Sequence, residues 1–260
     1  MRFTLRGQLS PHRNSHANKT LRSAGGNLSL ALLQTVLELR RRAIKITWHG
    51  EERDIPVPAG VAVNSPWVDV THSSPSCETM SGWDYLPRPQ QGGSSPYLPC
   101  EAWPANPPRH VLYAADAFVS HPLVALLLAP DWSGAPPLYV CTGWELLADE
   151  GKFIATKAHA DGVTVVHEEY EGMPHCFAMI FTGHPAAKRC FAGWAGFASK
   201  VVEHPGTVAS SFTAVRARTL LEVPTDPKDV RPYTQQEIGD KIRNWVALED
   251  SKSTGVVSKL

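Results

Sequence analysis

Three side chains of the types needed for nucleophilic catalysis occur far apart in the chain, in the order Ser23, Glu145 and His175. A serine hydroxyl attacks a carbonyl carbon when a histidine removes its proton and an acid orients the imidazole ring. Ser23 precedes Ala-Gly-Gly at the start of an apolar stretch, where the amides of a helix N-terminus can bind an oxyanion. Glu145 and His175 each follow a predicted strand. Their order and placement favour a serine–acid–histidine triad.

Each of these residues also has a simpler interpretation when it is taken alone. Ser23 is a suitable N-cap for a helix, Glu145 could be a solvated loop acid, and His175 could be a packed or surface histidine. A nucleophile turn also favours small residues on both sides of the serine. Leu21 stands where glycine is expected, and Arg22 stands where related enzymes have an acidic residue. The downstream half of the pattern fits and the upstream half does not.

The pattern of apolar residues predicts the elements that must position these side chains. Apolar positions at three- and four-residue spacing predict a helix that starts at Ser23 and ends at the arginines 40–42. Short apolar runs between turn residues predict strands, and amphipathic stretches predict helices. Strands alternating with helices indicate an α/β fold with a mostly parallel sheet and flanking helices. The predicted strands are 60–70, 136–144 and 163–172, and the later helices are 148–162 and 186–204.

The chain divides into three ranges on composition. Residues 1–19 are expected to form an unstructured or atypical tail, with an organelle transit peptide as the alternative because they carry arginines and serines. Residues 20–204 are expected to form the domain, and residues 205–260 an extension with one short helix. Within the domain, residues 71–110 are rich in Pro, Gly and Ser and predict a long ordered loop. Four aromatic side chains are expected to pack there, namely Trp83, Tyr85, Tyr97 and Trp103.

Charge and composition exclude several classes of function. Lys plus Arg equals Asp plus Glu at 25 each, so we expect no nucleic-acid partner. We expect no membrane span, because no apolar run reaches the roughly 18 residues that a spanning helix needs. The five cysteines lack paired metal spacing, which predicts reduced thiols and a cytoplasmic location. We expect no metal and no cofactor, because a phosphate-binding glycine loop and the His-Glu-x-x-His spacing are both missing from the sequence.

About residues 23–202 resemble the hormone-sensitive-lipase-like branch of the α/β-hydrolases, the fold-3 group of esterases and acetyl-hydrolases. The resemblance rests on "SAGGNLSLALL", on "SPWVDVTHSSPS", and on the segment from "HPLVALLLAP" to "HCFAMI". It implies ester hydrolysis through an acyl-enzyme, with Ser23 as the nucleophile and His175 as the general base. Glu145 takes a place that an aspartate usually holds, and the Ala24 N–H supplies half of the oxyanion hole. Asp149 matches a second acid of the family motif, which we interpret as support for a helix N-terminus.

The family also places a His-Gly-Gly loop and several strands before the nucleophile, and residues 1–22 contain neither. We therefore expect the chain to correspond to the C-terminal part of such a hydrolase, with a truncated sheet and weak activity on small-molecule esters. An open sheet edge predicts self-association. The alternative is an inactive hydrolase remnant that acts as a protein-interaction module. A mis-spliced or mis-started reading of a longer gene is a third interpretation.

Overall fold

The computed structural model describes residues 19–88, 111 and 113–257. The strands are β1 Lys19–Ser23, β2 Ile46–Trp48, β3 Glu51–Arg53, β4 Val61–Pro66, β5 Leu138–Gly143, β6 Val165–Tyr170, β7 Ser211–Val215 and β8 Glu222–Pro224. The α-helices are α1 Ala24–Arg41, α2 Ser76–Thr79, α3 Ala148–Ala160, α4 Phe177–Ile180, α5 Pro185–Glu203, α6 Pro227–Val230 and α7 Gln235–Val257. None of the helices in these described ranges combines the length and apolarity that crossing a bilayer requires.

Six strands form one sheet in the order β1-β4-β5-β6-β7-β8. All neighbouring pairs are parallel except β7 and β8, which are antiparallel. The strands β2 and β3 form a separate antiparallel hairpin. The predicted α/β class with a mostly parallel sheet is confirmed.

Alternate residues of the central strands face opposite sides of the sheet, as the two-residue period of a strand requires. Val63 and Val140 face one apolar cluster, whereas Ala62 and Tyr139 face the other. The first cluster contains residues of α1, α3 and α7, and the second contains residues of α5. Because both faces are covered, β4 and β5 are buried along their whole length.

The strands and helices predicted for the middle of the chain agree closely with the structure. The strands β4, β5 and β6 lie inside the three predicted ranges, and α3 and α5 match the two later helices to within two residues. The helix predicted from Ser23 is α1, and β1 precedes it. The polar composition of β1 makes it a weak strand in isolation, and its pairing with β4 supplies the missing stability.

The C-terminal range differs from the expected extension. Residues 205–260 contribute β7 and β8 to the main sheet, and α7 spans 23 residues rather than one short helix. Ile238 and Ile242 of α7 are buried in the first apolar cluster. The polar sequence around these few apolar residues conceals their contact with the domain, because only a narrow face of α7 is buried over residues 235–247.

The long Pro-rich segment is described only in part. Tyr97 and Trp103 lie outside the described residues. Trp83 and Tyr85 are 52% and 56% exposed, so the expected packing of these rings is only partial. The Trp83 ring meets Trp144 edge-on, with centroids 5.1 Å apart.

Candidate active site

Ser23 occupies a strained turn between β1 and α1. Its φ is 48° and its ψ is −124°, a combination that costs a non-glycine residue about 1–3 kcal/mol. The side chain of Ser23 forms no capping hydrogen bond with α1, so the simple N-cap interpretation does not hold. The Ser23 carbonyl accepts a hydrogen bond from the Trp67 N–H at 3.2 Å, which ties the turn to the residue after β4.

The parallel sheet brings the three candidate residues to one edge. Ser23 ends β1 and pairs with Pro66 at the end of β4, and Gly143 at the end of β5 pairs with Tyr170 at the end of β6. Glu145 and His175 follow β5 and β6, respectively. The carboxyl ends of neighbouring parallel strands meet at the crevice where ligands bind in open α/β sheets.

Glu145 and His175 are in direct contact. Glu145 Oε2 lies 2.5 Å from His175 Nδ1, and both side chains are buried, with Glu145 fully inaccessible. The other carboxylate oxygen, Oε1, accepts hydrogen bonds from Ser65 Oγ at 2.7 Å and from the Gly143 N–H at 3.0 Å. This burial contradicts the interpretation of Glu145 as a solvated loop acid. In the described part of the chain no hydrogen bond joins Ser23 to His175, a separation common before substrate binds.

The environment of His175 has opposing effects on its charge. Burial lowers the pKa of the ring, but side-chain interactions with Cys176 and Glu145 outweigh it and raise the pKa to about 10. An imidazolium next to a buried carboxylate is stabilised because the low local dielectric strengthens their attraction. The pair is therefore built to hold a positive charge on His175.

Asp149 forms its hydrogen bonds with Ser76 and not with the Glu145–His175 pair. Its Oδ2 accepts a hydrogen bond from the Ser76 N–H at 2.9 Å, and its own N–H donates to Ser76 Oγ at 3.2 Å. Asp149 lies in the first turn of α3, where a carboxylate suits the helix dipole. These contacts fit the support role inferred from the sequence.

A family model described as the alpha/beta hydrolase fold matches residues 22–179, which is more than half of the 260-residue chain. The chain belongs to the α/β-hydrolase family. The resemblance to its hormone-sensitive-lipase-like, fold-3 group is also confirmed. A comparison with curated proteins gave no match.

The solved structures similar to this chain include an esterase/lipase and a hormone-sensitive-lipase homologue. The EstE5 structure soaked with ethyl alcohol is 25% identical with a TM-score of 0.53, over 71% of this chain and 53% of that one. The hormone-sensitive-lipase homologue EstE7 from a metagenome library is 24% identical with a TM-score of 0.51, over 71% and 54%. An esterase/lipase from an uncultured bacterium is 23% identical with a TM-score of 0.50, over 71% and 52%. The chain spans about half the length of these proteins.

Two residues that the sequence did not indicate, Ser65 and Asp84, hold the Glu145–His175 pair in place. Ser65 Oγ donates to Glu145 and accepts from the Cys176 N–H at 3.0 Å. Asp84 accepts from the Leu146 N–H at 2.8 Å and from the His175 N–H at 3.3 Å, so it links the acid loop to the histidine loop. The position of Ser65 at the end of a buried strand was the one available signal for it. Nothing in the sequence around Asp84 marks it.

A cavity of about 440 Å³ lies next to the serine turn. Its wall includes Ala24, the first residue of α1, whose N–H is among the amides that a helix N-terminus leaves free. Most of the other lining side chains are apolar, among them Leu28, Trp67, Val70 and Val124. An apolar cavity beside a free amide can hold an acyl chain and the carbonyl oxygen that it carries.

Proposed function

We propose that this chain hydrolyses carboxylic esters with Ser23 as nucleophile, His175 as general base and Glu145 as the orienting acid. The observation that carries the proposal is the buried 2.5 Å contact between Glu145 and His175, at the sheet edge where Ser23 occupies its strained turn. Membership in the α/β-hydrolase family, together with the similarity to a solved esterase/lipase, supports it.

The reaction follows from the roles of these groups. His175 takes the proton of Ser23 Oγ while the oxygen attacks the ester carbonyl, and Glu145 stabilises the resulting imidazolium. The Ala24 N–H donates a hydrogen bond to the developing oxyanion. His175 then protonates the leaving alcohol, which departs and leaves an acyl group on Ser23. Water, deprotonated by His175, attacks this acyl-enzyme and releases the carboxylic acid.

The proposed activity is slow for this chain by itself. The second oxyanion donor of the family comes from a His-Gly-Gly loop, and the sequence contains no such run. The loss of one oxyanion donor costs about 10²–10³ in turnover. We propose small to medium acyl esters as substrates. In their hydrolysis the Ala24 amide is the main oxyanion donor.

A second candidate function is an interaction module without catalytic activity. Leu28 and Leu32 of α1 are 69% and 42% exposed, which leaves an apolar stripe beside the serine turn. A large apolar side chain gains about 1.5–3 kcal/mol when it is fully buried, so this stripe favours contact with another apolar surface. Self-association through the β1 edge would bring such a surface.

Hydrolysis of p-nitrophenyl butyrate by the purified chain separates the two candidates. Ser23→Ala should abolish the activity, whereas Ser199→Ala, on the exposed surface of α5, should leave it unchanged. Hydrolysis that survives Ser23→Ala would contradict the proposed nucleophile. A folded chain without activity would favour the interaction module.

A further inference from the structure

Three potential metal ligands from separate segments meet beside the loop that follows β4. They are His72 in that loop, Cys77 in α2 and Glu150 in the first turn of α3. One ligand atom from each lies within 4.8 Å of the other two, and His72 Nδ1 is 4.0 Å from Cys77 Sγ. Cys77 and Glu150 are buried, and His72 is half-buried. The ester hydrolysis proposed above uses none of these groups.

The Glu150 carboxylate is only half satisfied. Its Oε2 accepts hydrogen bonds from the Val68 N–H at 2.6 Å and from the Asp69 N–H at 2.9 Å. Its Oε1 is buried and has no hydrogen-bond partner, although the whole side chain is inaccessible to solvent. A buried carboxylate oxygen without a partner is costly, and such an atom calls for a ligand.

The surroundings of this cluster are negative. Asp69 is fully buried, and its carboxylate accepts hydrogen bonds from Thr71 and Ser73, so it adds charge without being free to bind. Within the described ranges no Lys or Arg forms an ion pair with Asp69 or Glu150. Without a bound cation, Cys77 and Glu150 keep their protons, which limits the negative charge of the cluster. Burial first, and nearby carboxylates second, raise the pKa of both Cys77 and Glu150.

We propose that His72, Cys77 and Glu150 form a binding site for a divalent transition-metal cation of the Zn²⁺ type. A nitrogen, a sulfur and a carboxylate oxygen are the donors that Zn²⁺ takes in proteins, and water completes the tetrahedron when three protein ligands are present. The thiolate and the carboxylate together neutralise the cation, as a buried site requires.

The three ligand atoms, which lie within 4.8 Å of one another, must move closer together to bind one cation. Bond lengths of about 2.3 Å to sulfur and about 2.0 Å to nitrogen place two tetrahedral ligands roughly 3.5 Å apart. His72 and Cys77 must therefore approach each other by about 0.5 Å. On binding, the Cys77 thiol and the Glu150 carboxyl group both lose their protons to solvent, and the thiol gives up its 3.4 Å hydrogen bond to the Leu146 carbonyl.

Such a cation would fasten the loop after β4 to the start of α3. The loop carries His72. The His72 ring stacks on Trp67, with centroids 5.5 Å apart, and Trp67 lines the cavity next to Ser23. The bound cation therefore stabilises the fold on one side of that cavity. The site includes none of the three residues proposed for ester hydrolysis.

Titration of the chelator-treated full chain with Co²⁺ tests the site directly. We expect a thiolate-to-cobalt charge-transfer band that saturates at one equivalent and disappears when Zn²⁺ is added. We also expect Zn²⁺ to raise the melting temperature of the protein. Cys77→Ser and His72→Gln should lose both effects. The matched thiol controls Cys190→Ala and Cys176→Ser should keep them, because these cysteines lie outside the cluster.

His72→Gln keeps the test decisive if Cys77→Ser does not fold, because a half-buried loop residue can be replaced with little loss of stability. Circular dichroism shows that each variant is folded before titration. A band that persists in folded His72→Gln, or one that Cys190→Ala or Cys176→Ser abolishes, would overturn the proposal. The absence of saturable Co²⁺ and Zn²⁺ binding would overturn it equally.

Discussion

Glu145 and His175, 30 residues apart in the chain, are joined through Oε2 and Nδ1 at 2.5 Å, and Ser65 holds both of their loops. Ser65 Oγ donates to Glu145 Oε1 and accepts from the N–H of Cys176, the residue after His175. The orientation of the imidazole ring therefore depends on the ends of β4, β5 and β6 together. Several consequences of this arrangement can be measured.

Glu145→Gln should lower kcat for ester hydrolysis by about 10³–10⁴-fold, because a neutral amide cannot stabilise the imidazolium and favours the wrong tautomer of His175. Initial rates with p-nitrophenyl butyrate measure the effect. Glu203→Gln, at the exposed end of α5, is the matched control and should retain the rate. A kcat within twofold of the parent in folded Glu145→Gln would exclude the assigned role.

Ser65→Ala should lower the free energy of unfolding by about 1–3 kcal/mol, because it leaves the buried Cys176 N–H without its acceptor. It should also lower kcat, since Glu145 loses one of the donors that fix it. Urea denaturation measures the first effect and initial rates measure the second. Ser199→Ala should change stability by less than about 0.5 kcal/mol. Equal stability of the two variants would show that Ser65 does not support the pair.

Gly143→Ala should abolish activity, because a Cβ at this position would overlap the Met173 carbonyl, two residues before His175. The backbone of the histidine loop must move away, and the contact with Glu145 moves with it. Gly196→Ala in α5 is the control, since a Cβ there meets no atom within 4 Å. It should keep the activity and gain up to about 1 kcal/mol of stability from better helix propensity. An active Gly143→Ala variant would contradict the tight approach.

The raised pKa of His175 predicts two trends with pH. The ring is stabilised in its charged form, so its contribution to stability is complete below its ordinary pKa of 6.5 and is lost as pH rises towards about 10. The difference in unfolding free energy between the parent and His175→Gln should therefore shrink across this range. A general base must be neutral, so kcat/KM should rise with pH over the same range. A difference that grows with pH would contradict the raised pKa.

Much of the fold could be predicted from the sequence, because β4, β5 and β6 each begin with an apolar run and the main helices have clear periodicity. Ranges 60–70, 136–144 and 163–172 each contain a strand, and their order places Glu145 and His175 at one edge. The prediction from sequence was incomplete for elements in which most residues are polar. The short strands β7 and β8 have half-exposed patterns, and α7 joins the core through few side chains.

The supporting residues of the site could not be predicted for a different reason. Ser65, Asp84 and Glu150 act through backbone amides of segments that lie 62 to 111 residues away. Such contacts depend on the relative positions of loops, which a local sequence pattern does not predict. The proposed His72–Cys77–Glu150 site has no sequence signal for the same reason, because its ligands come from three segments without a spacing motif.

Covalent labelling with a fluorophosphonate, followed by peptide mass spectrometry, shows whether Ser23 is an activated nucleophile. The reagent attacks a serine only when a neighbouring base activates its hydroxyl. The proposed triad of Ser23, His175 and Glu145 predicts a single adduct on Ser23. This adduct should be lost in Ser23→Ala and strongly reduced in Glu145→Gln. Labelling of a different serine, or no adduct on a folded chain, would contradict it.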